Sequence, residues 1–377
     1  MRTKAVLLSG LIFTLLVLTS CWNYREVNEI AIVIGAAVDK GKTSKYMLTV
    51  EILDVSRGLQ TQVSSKILSV EGETIFDAVR RLISVEGKRG YWGHAHVVLI
   101  GEELARENIS EVINFFRHDA ETRGDLYVII SKGCRAGEIL NAGIPLGQVL
   151  SETLARSLEN SKFLSEVPET RLYTLTQDIK SDKIALTLPT VTLETVEDKI
   201  IPVFCGAAVF QRSKMIDHLE KEEVKAMLFL KNEINGGVIV TEMGTERISL
   251  EIFGNNTKMK IRENEDQVIF DVTVETSVVI EELTDSIDYS DLAVLNEIKE
   301  MSEAQLKGKL QSILDKARQL RADIFGFEQK LYEDNPGKWV EMSENYDTVF
   351  SGIQVDLSVN INILNTSILY NQLNEGK

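Results

Sequence analysis

His94 and His96 come nearer to a metal site than any other residues in this chain. Alternate residues of a strand share a face, so an extended segment would point both imidazoles the same way, with His118 not far along. Zinc needs three or four ligands held by partners of their own, and no cysteine, histidine or aspartate cluster at metal spacing completes the pair. The expectation is no metal and no cofactor. With only four histidines available, His218 being the fourth, acid–base catalysis would have to rest on carboxylates. Those are abundant but scattered, as in Glu220, Glu222 and Glu223, which is the pattern of a solvated surface. The sequence has no phosphate-binding loop, dinucleotide fingerprint, nucleophile elbow or zinc-protease motif. No enzyme is expected.

Two aromatic groups stand out, Tyr91-Trp92-Gly93-His94 and Phe325-Gly326-Phe327 with Trp339. Each reads either as a contact surface or as the seat of a strand start or helix end on its core. The core reading is favoured, because a helix end must bury its apolar face against something.

Cys21 is the residue with the clearest chemistry. Arg2 and Lys4 form a short basic region, followed by an almost wholly apolar run from Ala5 to Leu18. That run is too short to cross a hydrocarbon core of ~30 Å comfortably and suits the apolar part of a signal peptide. It closes in Leu18-Thr19-Ser20-Cys21, which resembles the bacterial lipobox, whose cysteine receives a diacylglycerol before the leader is cut away. Two acyl chains at ~0.8 kcal/mol per buried methylene are enough for stable anchoring. Cys134 and Cys205 remain. Nothing in the sequence pairs them, and Cys205, inside the apolar stretch Val203-Phe204-Cys205-Gly206-Ala207, reads as a buried free thiol.

Composition limits the partners. Of the 377 residues 57 are acidic and 41 basic, a formal charge of −16, and loss of Arg2 and Lys4 with the leader makes the remainder more acidic still. Phosphate backbones and anionic head groups repel such a body, which argues against nucleic acid and leaves the lipid to hold it at a membrane. An apolar content of 44% is that of a folded chain, and three cysteines are too few for a disulfide scaffold.

The elements that must carry these residues follow from periodicity. Strands are expected over 30–38, 46–55, 91–100, 125–131 and 184–192, with helices over 74–85, 102–106, 109–117, 149–160 and 170–178. Beyond the polar stretch 194–199 come two short strands within 203–219, a helix over 220–230, and alternation at Ile248, Leu250, Ile252 and at Phe270, Val272, Val274. One helical stripe runs over 291–331, Asn335-Pro336-Gly337 stops it, and a strand alternates cleanly over 353–363. The fold class is α+β: a mixed α/β N-terminal region, then antiparallel sheets, the last packed with one long helix. The expected division is a leader (1–20), an N-terminal domain (21–197), a middle domain (198–283) and a C-terminal module (284–377).

Several short motifs, taken together, resemble one family. Cys21-Trp22-Asn23-Tyr24-Arg25-Glu26-Val27 followed by Ala31-Ile32-Val33-Ile34-Gly35 is similar to the mature start of the Ger(x)C spore-germination lipoproteins. Further matches are Gly72-Glu73-Thr74-Ile75-Phe76-Asp77-Ala78-Val79-Arg80, Tyr91-Trp92-Gly93-His94, Ile100-Gly101-Glu102-Glu103-Leu104-Ala105-Arg106, Asp323-Ile324-Phe325-Gly326-Phe327 and Pro336-Gly337-Lys338-Trp339. The resemblance covers essentially the whole mature chain in the family's order. It implies three α/β domains on the outer face of the inner spore membrane, as the C subunit of a nutrient germinant receptor. It also implies assembly with two integral-membrane subunits (A-type and B-type) and no established enzymatic activity. The alternative is a lipid-anchored solute-binding protein of a nutrient uptake system. Two similar lobes would be expected of that, and the antiparallel end of this chain disfavours it.

Overall fold

The first described strand is apolar along almost its whole length, which requires cover on both faces. In the computed structural model the described residues are 4, 29–55, 63–142, 149–180, 185–264, 267–282 and 291–366. From the N-terminal side they form β1 (Ile30–Lys40), β2 (Tyr46–Val55), β3 (Val63–Gly72), α1 (Ile75–Glu86), β4 (Arg89–Tyr91), β5 (Val97–Gly101), α2 (Glu102–Glu107) and α3 (Ser110–His118). Then come β6 (Tyr127–Ser131), α4 (Ala136–Asn141), α5 (Leu150–Glu159), α6 (Leu172–Lys180), β7 (Ala185–Val196), β8 (Lys199–Gln211) and β9 (Lys214–Leu219).

These strands make one sheet in the order β3-β2-β1-β5-β6-β7-β8-β9, with β4 also beside β1. Its centre is parallel, from β1 through β5 and β6 to β7, and antiparallel hairpins flank it on both sides. Alternate residues of the central strands serve two cores. Val98, Ile100, Val128 and Ile130 pack with α1, α2, α3 and α6, while Val97, Leu99 and Ile129 pack with α4 and α5. All five residues of β5 and of β6 are therefore buried.

The remaining elements are α7 (Lys221–Leu230), β10 (Val238–Met243), β11 (Glu246–Asn264), β12 (Gln267–Glu282), α8 (Leu292–Leu320), α9 (Phe327–Asp334), α10 (Pro336–Ser343), α11 (Tyr346–Gly352) and β13 (Gln354–Thr366). Strands β10 to β13 form a second sheet in sequence order. The long helix lies on it through Ile298, Leu306, Leu310, Ile313, Leu314 and Ala317. Its polar residues also hydrogen-bond the backbone of one residue on each edge strand. The Gln305 amide accepts the N–H of Glu242 at 3.1 Å and donates to its carbonyl at 2.7 Å, and Glu303 accepts the N–H of Ile361 at 2.8 Å. Unpaired edge groups invite association, and these contacts satisfy those of Glu242 and the N–H of Ile361 internally.

The α+β class and the final sheet with its long helix are as expected, but several details differ. β13 pairs with β12 in parallel, because four helices carry the chain back along the sheet before it enters. The helix expected to continue to 331 ends at Leu320, where Arg321 takes a left-handed conformation. The stripe resumes in α9 with Phe327 and Leu331, so periodicity alone reads through the break. The strand expected over 91–100 is two strands, β4 and β5, separated by a turn over 92–96. The boundary expected after 197 coincides with the β7–β8 hairpin turn, where Glu197 and Asp198 both have positive φ. The sheet continues across that turn. β8 also serves both halves, with Ala208 and Phe210 in the first core and Ala207 and Val209 in the core of the second sheet. The boundary expected at 283/284 lies outside the described residues.

Candidate functional site

His94 and His96 do not share a strand face. They sit in the turn between β4 and β5, and both are exposed. The backbone of His96 takes the structural part: its N–H donates to Ile34 at 2.7 Å, and its carbonyl accepts from Tyr127 at 2.9 Å. His118 ends α3, and among the described residues no group of three or more histidines, cysteines and carboxylates could hold a metal. Neighbouring Trp92 is 2% exposed and meets Phe116 edge-on at 5.7 Å, and Tyr91 meets the His94 ring edge-on at 5.8 Å.

His218 occupies a more connected position. Its Nδ1 lies 3.0 Å from the Lys132 ammonium and its Nε2 2.9 Å from the Thr190 hydroxyl, which accepts from the Cys205 thiol at 3.4 Å. Lys132 also pairs with Glu220 at 2.9 Å. Since an ammonium only donates, Nδ1 accepts, and the ring proton is assigned to Nε2. Burial first, and the Lys132 charge second, push the His218 pKa down and favour the neutral ring. The thiol reaches the imidazole only through Thr190, and burial pushes Cys205 up, so this is not the arrangement of an activated nucleophile. It links β7, β8 and β9 with the residue that follows β6. Cys134 and Cys205 are both free, and burial pushes Cys134 up to about 11.

Buried carboxylates do the work that sequence reading missed. Asp39 at the end of β1 accepts the N–H groups of Ala136 and Gly137, each at 2.8 Å, and so caps α4. Glu51 of β2 accepts those of Leu150 at 3.0 Å and Ser151 at 2.8 Å and caps α5. Two glycines of the recognised motifs make room for these caps. A Cβ on Gly101 would lie 2.4 Å from Asp39 Oδ1, and one on Gly35 would lie 1.9 Å from Ser151 Oγ. Burial pushes Asp39 above the usual carboxylate range, against the opposing pull of its two N–H donors.

A third carboxylate organises the C-terminal aromatic motif. Asp323 Oδ1 accepts the N–H groups of Phe325 at 3.1 Å and Gly326 at 3.0 Å; Oδ2 accepts that of Glu328 at 2.7 Å and the Tyr346 hydroxyl at 3.1 Å. Phe325 and Phe327 are buried in the second core, where Phe327 stacks on Phe270 with centroids 4.7 Å apart. Trp339 is half-buried against that core, meets Tyr332 edge-on at 5.0 Å, and hydrogen-bonds Glu328. The signal for this cluster was present in the motif, but the role of its aspartate was not legible without the fold.

Open surfaces include a groove of about 560 Å³ between α1 and α3, lined in part by Tyr46, Phe76, Phe115 and His118. A polar cleft of about 670 Å³ lies along α8, where Lys316 pairs with Glu223 at 2.8 Å. Neither gathers a set of catalytic groups. Cys21, the lipidation candidate, lies outside the described residues.

Comparison with known proteins agrees with this arrangement. Residues 23–193 match a family described as spore germination protein N-terminal domain, and residues 205–367 match one described as spore germination B3/GerAC like, C-terminal. The chain is 22% identical to spore germination protein KC of Bacillus subtilis (strain 168), over 99% of this chain and 98% of that one. It is 24% identical to spore germination protein B3 of the same organism, over 95% and 96%. The crystal structure of the GerBC protein superimposes with a TM-score of 0.61 at 20% identity, covering 88% of this chain and 97% of that one. Two halves matched in order, on a shared fold, place the chain in the Ger(x)C (GerAC-like) family of spore germination proteins.

Proposed function

We propose that this protein is a membrane-tethered, non-enzymatic lipoprotein subunit of a spore nutrient germinant receptor, which acts by assembling with two integral-membrane subunits to trigger germination. The observation that carries the reading is the match of both halves, in order, to spore-germination domains. The anchor in this reading is a diacylglycerol on Cys21, which places the body on the extracytoplasmic face of the inner spore membrane. Among the described residues no helix is long and apolar enough to cross a membrane. The hydrogen-bonded carboxylates of the body are caps that hold helices on sheets, which suits a rigid assembly subunit.

Deletion of the protein should abolish the response to one class of nutrient and leave intact germination by agents that bypass receptors. A deletion strain that germinates normally on every nutrient, with sister receptors also removed, would overturn the reading. Normal germination with failed uptake of one solute would favour the solute-binding alternative. Labelled palmitate should enter the native protein and not Cys21→Ala.

A further inference from the structure

The chain enters the described fold at one corner. Ile30, the first residue of β1, pairs in parallel with Arg89 of β4, and β4 begins just beyond the C-terminal end of α1. Cys21 precedes Ile30 by nine residues, and an extended chain of that length reaches at most about 30 Å. A lipid on Cys21 therefore keeps this corner within about 30 Å of the bilayer.

Helix α1, whose C-terminal end reaches this corner, exposes apolar side chains beside cations along one flank. Phe76, Ile83 and Val85 are 51%, 36% and 58% exposed, and Phe76 and Ile83 lie two turns apart on the same flank of α1. The Arg80 guanidinium stacks over the Phe76 ring at 4.7 Å. From Arg80 to Arg89 the chain carries four cations (Arg80, Arg81, Lys88 and Arg89) against one carboxylate, Glu86, in a protein of net charge −16. Lys66 pairs with that carboxylate at 2.6 Å. Arg81 pairs with Asp77 and Arg89 with Glu121, and all four cations remain exposed. Apolar side chains beside lysine and arginine suit the boundary between acyl chains and anionic head groups, where a net-acidic surface is repelled.

We propose that the exposed flank and C-terminal end of α1, with Lys88 and Arg89, form the face that the tethered body lays on an anionic lipid surface. The proposal rests on the lipid-tether reading and adds an orientation to it.

The test uses the full lipidated chain on vesicles of phosphatidylcholine, with and without phosphatidylglycerol, carrying a nitroxide-labelled lipid. A fluorophore is attached at Val85→Cys or, on α10, at Val340→Cys, where the native residue is 63% exposed. Unsubstituted protein labelled in parallel gives the background from Cys134 and Cys205. Flotation with the vesicles is recorded first. The probe at position 85 should be quenched several-fold more than that at 340, more strongly with phosphatidylglycerol, and less after Arg80→Glu with Lys88→Glu. Equal quenching at both positions in protein that floats would overturn the orientation and leave the tether standing. The orientation is equally overturned if the probe at 85 escapes lipid quenching and is shielded only when the integral-membrane subunits are added. Protein that fails to float removes the tether reading, and the orientation with it.

Discussion

The Tyr346 hydroxyl donates to Asp323 Oδ2 at 3.1 Å, joining the start of α11 to the turn that opens α9. The same carboxylate holds three backbone N–H groups of that turn. Tyr346→Phe should cost about 1–2 kcal/mol by removing a side-chain hydrogen bond, and Asp323→Ala more, because it also removes the acceptor of three backbone N–H groups. Urea unfolding of both variants and of the double variant checks this. Full additivity in the double variant would show that the two side chains do not act together.

Phe327 and Trp339, read together in the sequence, now separate by burial. Phe327 is fully buried, and Phe327→Ala should cost about 3–5 kcal/mol and lower the amount of protein at the membrane. Trp339 is half-buried, and Trp339→Ala should cost about 1–2 kcal/mol and leave a folded protein. Thermal unfolding of the two variants should rank them in that order.

Acid should loosen the β1–β2 turn. Glu71 accepts the N–H groups of Lys42 at 2.9 Å, Thr43 at 2.8 Å and Ser44 at 3.0 Å, together with the Thr43 hydroxyl. These hydrogen bonds, the Thr43 hydroxyl foremost, hold its pKa at about 2 against an ordinary 4.5. A depressed carboxylate pKa gives stability that is present above 4.5 and lost as pH falls toward 2. Glu71→Gln should therefore be less stable than the native protein at neutral pH, and the gap should narrow across that window. A gap that stays constant with pH would contradict it.

Gly101→Ala should destabilise by about 2–4 kcal/mol, because the new methyl meets the buried Asp39 carboxylate that caps α4. Gly352→Ala, where a Cβ meets nothing within 4 Å, is the control and should be close to neutral. Equal effects in a denaturant titration would remove the steric account.

The sequence made most of the apolar framework legible, since a half-buried strand announces itself by alternation. In β13, Leu357 and Ile361 are buried between exposed Asp356, Ser358, Asn360 and Asn362, as their spacing indicates. β3 escaped because Ser64, Ser65 and Lys66 give an edge strand a polar appearance. Strand direction escaped too, for periodicity says nothing about whether β13 enters parallel or antiparallel to β12. The histidine pair was misplaced because His94-Ala95-His96 joins two strands and looks locally like one. Asp39, Glu51 and Asp323 were illegible for a different reason. Each caps a helix that begins elsewhere in the chain or after a tight turn, and only tertiary structure brings carboxylate and N–H together.

Affinity purification tests the proposed assembly into a three-part membrane receptor. The tagged protein is isolated from detergent-solubilised inner spore membranes, and its partners are identified by mass spectrometry. Two multi-span subunits should co-purify with the native protein and be depleted with Cys21→Ala. Recovery instead of a permease with an ATPase, or of the native protein alone, would rule out that assembly.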